Sequence, residues 1–405
     1  MNSLKILGSK SESNRALILN SKFRNENSKL AVELFNLSDS DDTKIIEGAV
    51  DLNEGVVDCK HSGAAIRFLA THFASIEGTN IILTGSDRLK ERPIKELLEA
   101  LILLGADIQY LEREGFAPFA IKGRNLECSN VIELKANISS QFVSALLLIS
   151  NRIKKGLKLR LVHEVISEPY INMTLKMLND FGIEYQQKEN EIFIEECLDA
   201  LPKINKYTIE SDWSSASYWY SFVSLGINDI NLQYYQQDSI QGDSKISEIM
   251  TSLNVQTTFE QDRSITLRRI GNFEPSEEII NFVDYPDLAQ TIICLYAFQK
   301  KNLKFKGVES LKIKESNRIE ALQIELQKIN AKIIEHKNHY ELISSDVKIP
   351  ERVYINTYHD HRMAMSFAPL KLLTNVIFDD ENVVSKSYPN FFVHCNKLIN
   401  NNISN

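Results

Sequence analysis

Six segments of this chain repeat one pattern: a turn of polar or small residues runs directly into an apolar, helix-like stretch. They are KSESNRALIL, HSGAAIRFLA, ISSQFVSALL, DWSSASYWYS, PDLAQTIICL and DHRMAMSFAP, beginning at Lys10, His61, Ile138, Asp212, Pro286 and Asp360. The intervals are 51, 77, 74, 74 and 74 residues. A β-rich run follows in most units, from Ile81, Leu157, Ile230, Leu303 and Val376. A second helical pattern then recurs, for example Ile94, Leu97, Leu98, Leu101 and Ile102, and stops at Gly105, Gly182, Asn254 or Asn330. Gly and Asn tolerate the left-handed conformation that closes a helix. A period this long, carrying both helices and strands, is not a helical solenoid. The pattern predicts an α/β chain of six subdomains, three in each of two domains. The first interval is the short one, and the missing part is expected mostly between Gly55 and His61, where strands should stand.

Composition narrows function only by exclusion. Hydrophobic residues at 43% and charged residues at 25% are ordinary for globular domains. A formal charge of -8 argues against nucleic acid or an anionic membrane as the main partner. Cys59, Cys128, Cys197, Cys294 and Cys395 are odd in number, scattered and without a Cys-x-x-Cys pair, which suits a reduced compartment and no structural zinc. No apolar run reaches the length of a membrane helix, so the expected compartment is the cytoplasm. The Walker loop, Gly-x-Gly-x-x-Gly, His-Glu-x-x-His and Gly-x-Ser-x-Gly are all missing.

The chemistry gathers at the helix starts, where free N–H groups and the positive dipole end favour anions. Lys10 and Arg15 lie in GSKSESNR, and Arg67 follows HSGAA. Arg88, Lys90 and Arg92 lie in DRLKERP, while Lys312, Lys314 and Arg318 lie in LKIKESNR. His361 and Arg362 follow in YHDHR, and Lys386 in VVSKSYP. One loop cation is ordinarily just solvated. Clusters at equivalent positions of a repeat, in an acidic chain, point instead to a small, multiply anionic ligand. Serine pairs such as Ser139 and Ser140 serve as helix caps, phosphate ligands or both. Asp287 in YPD and Glu315 in KIKES stand inside cationic loops, as salt-bridge partners or as proton-handling groups. His361 is either a structural imidazole or an anion- or proton-handling one.

These loops, in this order, resemble the enolpyruvyl transferase family, and its shikimate branch in particular. The resemblance runs from GSKSESNRAL through SDSDDT, LTGSDRLKERPI, SSQFVSALLL, SEPYIN, DWSSASY, QGD, YPDLAQT, KIKESNRIEAL and YHDHRMAM to SKSYPNFF. It implies a two-domain inside-out α/β barrel of six subdomains, with 9–209 as one domain, 1–8 plus 210–405 as the other, and the ligands held between them. It implies transfer of the enolpyruvyl group of phosphoenolpyruvate to shikimate 3-phosphate by a monomer that needs no metal or organic cofactor. Carried over position by position, shikimate 3-phosphate falls to Lys10, Ser11, Arg15, Ser139, Ser140, Gln141, Ser167, Tyr170, Asp287, Ser310 and Lys314. Phosphoenolpyruvate falls to Lys10, Gly63, Arg92, Gln141, Arg318, Arg362 and Lys386. Asp287, Glu315, Lys10 and His361 are the implied catalytic groups.

The departures concentrate in one loop. Where the family has Asn or Asp followed by Ala-Gly-Thr, this chain has His61, Ser62, Gly63 and Ala64. An altered phosphoenolpyruvate affinity is the expectation. Ser310 and Asn317 also replace residues common in the family. Two rivals remain: the cell-wall member acting on a UDP-amino sugar, whose Lys-Asn loop and reactive cysteine have no counterpart here, and an inactive scaffold that keeps shikimate 3-phosphate binding.

Overall fold

The computed structural model describes residues 2–26, 31–273 and 279–403. It divides into two compact units, Lys10–Ile209 and Met1–Ser9 with Glu210–Asn405. Ser9 sits with the latter, its N–H donating to the Glu210 carbonyl at 2.8 Å.

In Lys10–Ile209 the helices are α1 (Lys10–Glu26), α2 (Asp41–Ala49), α3 (Gly63–Ala74), α4 (Asp87–Lys90), α5 (Lys95–Leu103), α6 (Ser140–Leu147) and α7 (Glu168–Asp180). The other unit carries α8 (Trp213–Ser224), α9 (Ile246–Ser252), α10 (Ala289–Phe298), α11 (Arg318–Gln327), α12 (His361–Phe367) and α13 (Phe391–Ile403). α8, α10 and α12, the first helices of three repeats, are buried on nearly all sides. Every residue of α10 and α12 is buried, and every residue of α8 except Ser214. α10 packs against both of the others. Strands instead alternate: in Leu157–Val162 every second residue is buried, the pattern of a sheet with one covered face.

One sheet plan recurs. Glu54–Asp58 pairs in parallel with Asn80–Thr84, α3 making the crossover that parallel pairing requires, and the antiparallel strands Phe119–Lys122 and Asp107–Tyr110 complete the sheet. Three further sheets copy this order, built on Leu157–Val162, Ile230–Gln233 and Leu303–Lys306. Gly105, Gly182, Asn254 and Asn330 all have positive φ where the second helices end. At Gly182 an added Cβ would lie 1.9 Å from the Leu201 carbonyl oxygen.

Two modules are short. Among the described residues, Glu33–Phe35 and Asn375–Phe378 each have only a parallel partner, Lys206–Thr208 and Arg352–Ile355. The expectation that strands are missing between Gly55 and His61 is therefore corrected. Glu54–Asp58 is a fully paired strand, and what the first module lacks is the antiparallel hairpin, whose place is between Ala49 and Glu54. Two strands are also exchanged relative to the repeat. Lys206–Thr208, just before α8 in the chain, pairs with Glu33–Phe35, while Asn2–Leu4, just before α1, pairs with Ile230–Leu232.

Candidate active site

The helix starts are fixed by side-chain caps, which hold the neighbouring loop residues in place. Ser62 caps α3, Ser139 caps α6, Asp212 caps α8, Asn317 caps α11 and Asp360 caps α12.

In the unit containing α8–α13, Asn317 and Asp360 fix the starts of α11 and α12, and Asp287, Glu315, Arg318, Arg362 and Lys386 form one charge network. Arg318, 1% exposed, is its hub. Its Nε donates to Asp360 Oδ2 at 2.8 Å, Nη2 to Glu315 Oε2 at 2.8 Å and Nη1 to Asp287 Oδ1 at 3.3 Å. Burial works to lower the pKa of this guanidinium, but Asp360, Glu315 and Asp287 outweigh it and hold the value above the ordinary one. The second oxygen of Glu315 accepts from Lys386 Nζ at 2.7 Å. Asp287 lies 2.8 Å from Arg362 Nη2, and Arg362 also donates to the Asp287 carbonyl, the Tyr218 hydroxyl and the Ser214 hydroxyl. His361 is buried beside Asp360, its Nδ1 3.8 Å from Oδ1. Ser310 lies in the turn Glu309–Ile313, with Lys314 directly after it; both are half-buried.

Lys10–Ile209 builds a different kind of cluster. Arg15, on the second turn of α1, donates to the Thr174 hydroxyl at 2.7 Å, the Ser11 carbonyl at 2.8 Å, the Ser144 hydroxyl at 3.0 Å and the Tyr170 carbonyl at 3.2 Å. It lies over the rings of Phe68 and Tyr170. Burial brings its pKa down to about 10, so it stays charged at neutral pH. Lys10 faces Asp42 at 3.5 Å. Arg67 donates to the Gly63 carbonyl at 3.0 Å and to Gln141 Oε1 at 2.8 Å, above the Phe142 ring. Gly63 is gripped on its open face: a Cβ there would lie 2.5 Å from Arg92 Nη1 and 2.6 Å from Arg67 Nη1. The Nε and Nη1 of Arg92 are buried with no hydrogen-bond partner among the described residues. Ser140 and Ser167 are buried at the starts of α6 and α7, and Ser167 has a left-handed φ of 55°.

The departing loop keeps its shape by other means. Ser62 accepts from the Ala65 N–H at 3.0 Å, and His61 Nδ1 lies 2.8 Å from the Ser86 hydroxyl, which caps α4. Three cations of the motif loops turn to surface partners instead: Arg88 to Glu91, Lys90 to Glu112 and Lys312 to Glu335. Several groups in the networks carry no role from sequence reasoning. Thr174, one helical turn beyond Tyr170, and the capping Asp360 carry positional signals. Ser214 in DWSSASY and Asp243 in QGD lie in motifs of the resemblance without an assigned role, and they meet across 29 residues.

A family profile described as EPSP synthase (3-phosphoshikimate 1-carboxyvinyltransferase) matches residues 27–394. The chain belongs to the EPSP synthase family. It is 40% identical over 395 residues to the 3-phosphoshikimate 1-carboxyvinyltransferase of Bacteroides fragilis (strain YCH46), covering 96% of this chain and 93% of that one. It is 30% identical over 421 residues to the protein of the same name from Pasteurella multocida (strain Pm70), again covering 96% and 93%. Among solved structures, an EPSP synthase from Acinetobacter baumannii superposes with a TM-score of 0.75 at 19% identity, covering 98% of this chain and 95% of that one. The enolpyruvyl transferase NikO from Streptomyces tendae gives 0.71 at 12% identity, covering 98% and 94%. At those identities the superpositions speak for the two-domain α/β fold alone. Membership in the EPSP synthase family sets aside the UDP-amino-sugar reading.

Proposed function

We propose that this chain transfers the enolpyruvyl group of phosphoenolpyruvate to the 5-hydroxyl of shikimate 3-phosphate and releases phosphate, as a step of aromatic amino acid biosynthesis. Shikimate 3-phosphate engages Lys10, Ser11, Arg15, Ser139, Ser140, Gln141, Ser167, Tyr170, Asp287, Ser310 and Lys314. Phosphoenolpyruvate engages Lys10, Gly63, Arg92, Gln141, Arg318, Arg362 and Lys386. The enzyme works as a cytoplasmic monomer. The modules of each unit form an inside-out barrel, a reading supported by the all-round burial of α8, α10 and α12.

The observation that carries the mechanism is the grip on Glu315, with Lys386 on one oxygen and Arg318 on the other. Both cations are also phosphoenolpyruvate ligands in this reading. When an anion engages them, Glu315 loses part of its electrostatic compensation and its proton affinity rises. The carboxyl can then protonate C3 of phosphoenolpyruvate as the 5-hydroxyl oxygen bonds to C2. Asp287 holds the attacking hydroxyl and takes its proton. In the second step a proton leaves C3, the double bond re-forms and the C2–O bond to phosphate breaks. Lys10 and His361 assist the proton transfers. Fixed cations stabilise the leaving phosphate, so the chemistry calls for no metal or organic cofactor.

Phosphate release from phosphoenolpyruvate and shikimate 3-phosphate by the purified chain is the direct test. Tight shikimate 3-phosphate binding without release would support the inactive scaffold instead.

A further inference from the structure

Asp243 is the carboxyl of this network that the mechanism above leaves unused. It lies in the short helical turn Gly242–Lys245, is 3% exposed, and its Oδ2 accepts from the Ser214 hydroxyl. Its Oδ1 is buried with no hydrogen-bond partner among the described residues. The Ser214 oxygen in turn accepts from Arg362 Nη2 at 3.3 Å, and the same nitrogen lies 2.8 Å from Asp287 Oδ2. Asp243 and Asp287 therefore share one guanidinium, Asp287 directly and Asp243 through a hydroxyl.

An ionised carboxylate with one bare oxygen in a dry site is costly, and it persists only while a cation compensates it. The facing groups come from each packed element: Asp212 and Ser214 from the start of α8, Asp287 from the turn before α10, and Arg362 from α12. Lys245, on the turn of Asp243 itself, is paired with Glu248. Burial, with Asp287 as the next contributor, pushes the Asp243 carboxyl up to about 7, while Arg362 and the Ser214 hydrogen bond work against the rise. A ligand anion that takes up Arg362 removes part of that compensation and adds charge of the same sign.

We propose that Asp243 is the proton acceptor linked to anion binding at Arg362: when phosphoenolpyruvate engages the guanidinium, Asp243 takes one proton from solvent and, through Ser214, holds Arg362 in position. The proposal rests on the reading of Arg362 as a phosphoenolpyruvate ligand. It makes Asp243 a positioning residue and gives the enzyme an alkaline decline in phosphoenolpyruvate capture. Above its pKa the carboxyl must first be protonated, so capture falls as pH rises.

The test is kcat/KM for phosphoenolpyruvate between pH 7 and 9, with shikimate 3-phosphate saturating. The wild-type value should fall by up to about tenfold per pH unit above the Asp243 pKa, and Asp243→Asn should flatten the profile. An Asp243→Asn profile with the wild-type slope would overturn the proposal. Ser214→Ala keeps the carboxyl and should keep the slope while raising KM by about tenfold. A flat profile in that variant, with the Asp243 carboxyl intact, would show that its titration does not set the slope and overturn the proposal equally, whether or not Asp243→Asn folds. No turnover by the wild-type chain at any pH would remove the functional reading and this inference with it, a result distinct from an unchanged slope.

Discussion

The two units hold the buried arginines of the candidate site in different ways. In Lys10–Ile209, Arg15 and Arg67 are gripped by hydroxyls, carbonyls, an amide and aromatic faces, and Arg92 keeps two buried nitrogens without partners among the described residues. In the other unit, Arg318, Arg362 and Lys386 are each already paired with a carboxylate. A cation fixed by neutral groups offers its whole charge to an arriving anion, so binding is its natural work. A cation shared with carboxylates gives less net attraction, but any anion that engages it also changes the proton affinity of its partners. The first arrangement suits recognition and the second suits acid–base chemistry.

The largest expected effect breaks this contrast on the carboxylate side. Glu315→Gln keeps the shape and one acceptor oxygen but cannot carry a proton, so kcat should fall by about 10²–10⁴ while shikimate 3-phosphate affinity holds. A single-turnover rate near wild type would reject the acid–base assignment. On the neutral-grip side, Arg92→Ala should leave kcat nearly unchanged and raise the KM for phosphoenolpyruvate by about 10²-fold, the scale of a lost charge-assisted contact. An unchanged KM would remove Arg92 from the recognition set.

How much of this was legible in the sequence follows the range of the interactions. The helix starts at Lys10, Gly63, Ser140, Trp213 and His361 repeat a local pattern of turn, cap and apolar run, and the helix stops at Gly105, Gly182, Asn254 and Asn330 need a conformation few residues accept. Both are local and could be read. The exchange of Asn2–Leu4 with Lys206–Thr208 is not local: parallel pairing across some 200 residues leaves no mark in either tripeptide, and only the resemblance assigns 1–8 and 9–209 to different domains. The repeat spacing shows that the first module is short but not where its gap lies, since EGVVD is weakly patterned and four of its five residues are exposed. Glu315, Arg318 and Lys386 stood out as charged residues in turns. Asp243 and Ser214 lie in the motifs QGD and DWSSASY but carry no assigned role there, because an Asp after Gly and a Ser among serines acquire one only when the fold joins them.

A smaller effect sharpens the neutral-grip side. Gly63→Ala sets a methyl group against the ends of Arg92 and Arg67, which are flexible enough to move. Stability should change little, while the KM for phosphoenolpyruvate should rise about tenfold as Arg92 is displaced. Kinetics and thermal melting of the same preparation would separate the two. A large loss of melting temperature with unchanged KM would mean that Gly63 serves packing and not the anion.

The smallest effect concerns the cost of the carboxylate side to the fold itself. Asp243 has its pKa raised from 3.8 to about 7 by burial, so between those values the folded chain holds a proton that the unfolded chain has lost. Where the folded state binds more protons, stability falls as pH rises, and above the folded pKa the penalty is complete and constant. Asp243→Asn removes the titration. Its melting temperature should therefore exceed that of the wild type by a few degrees at pH 8, on the order expected for a domain of this size, and the gain should shrink toward pH 4. A variant less stable than the wild type at pH 8 would mean that the ionised carboxylate is adequately compensated in the fold. The contrast between the two units would then be one of geometry only, without a store of electrostatic strain for ligand binding to draw upon.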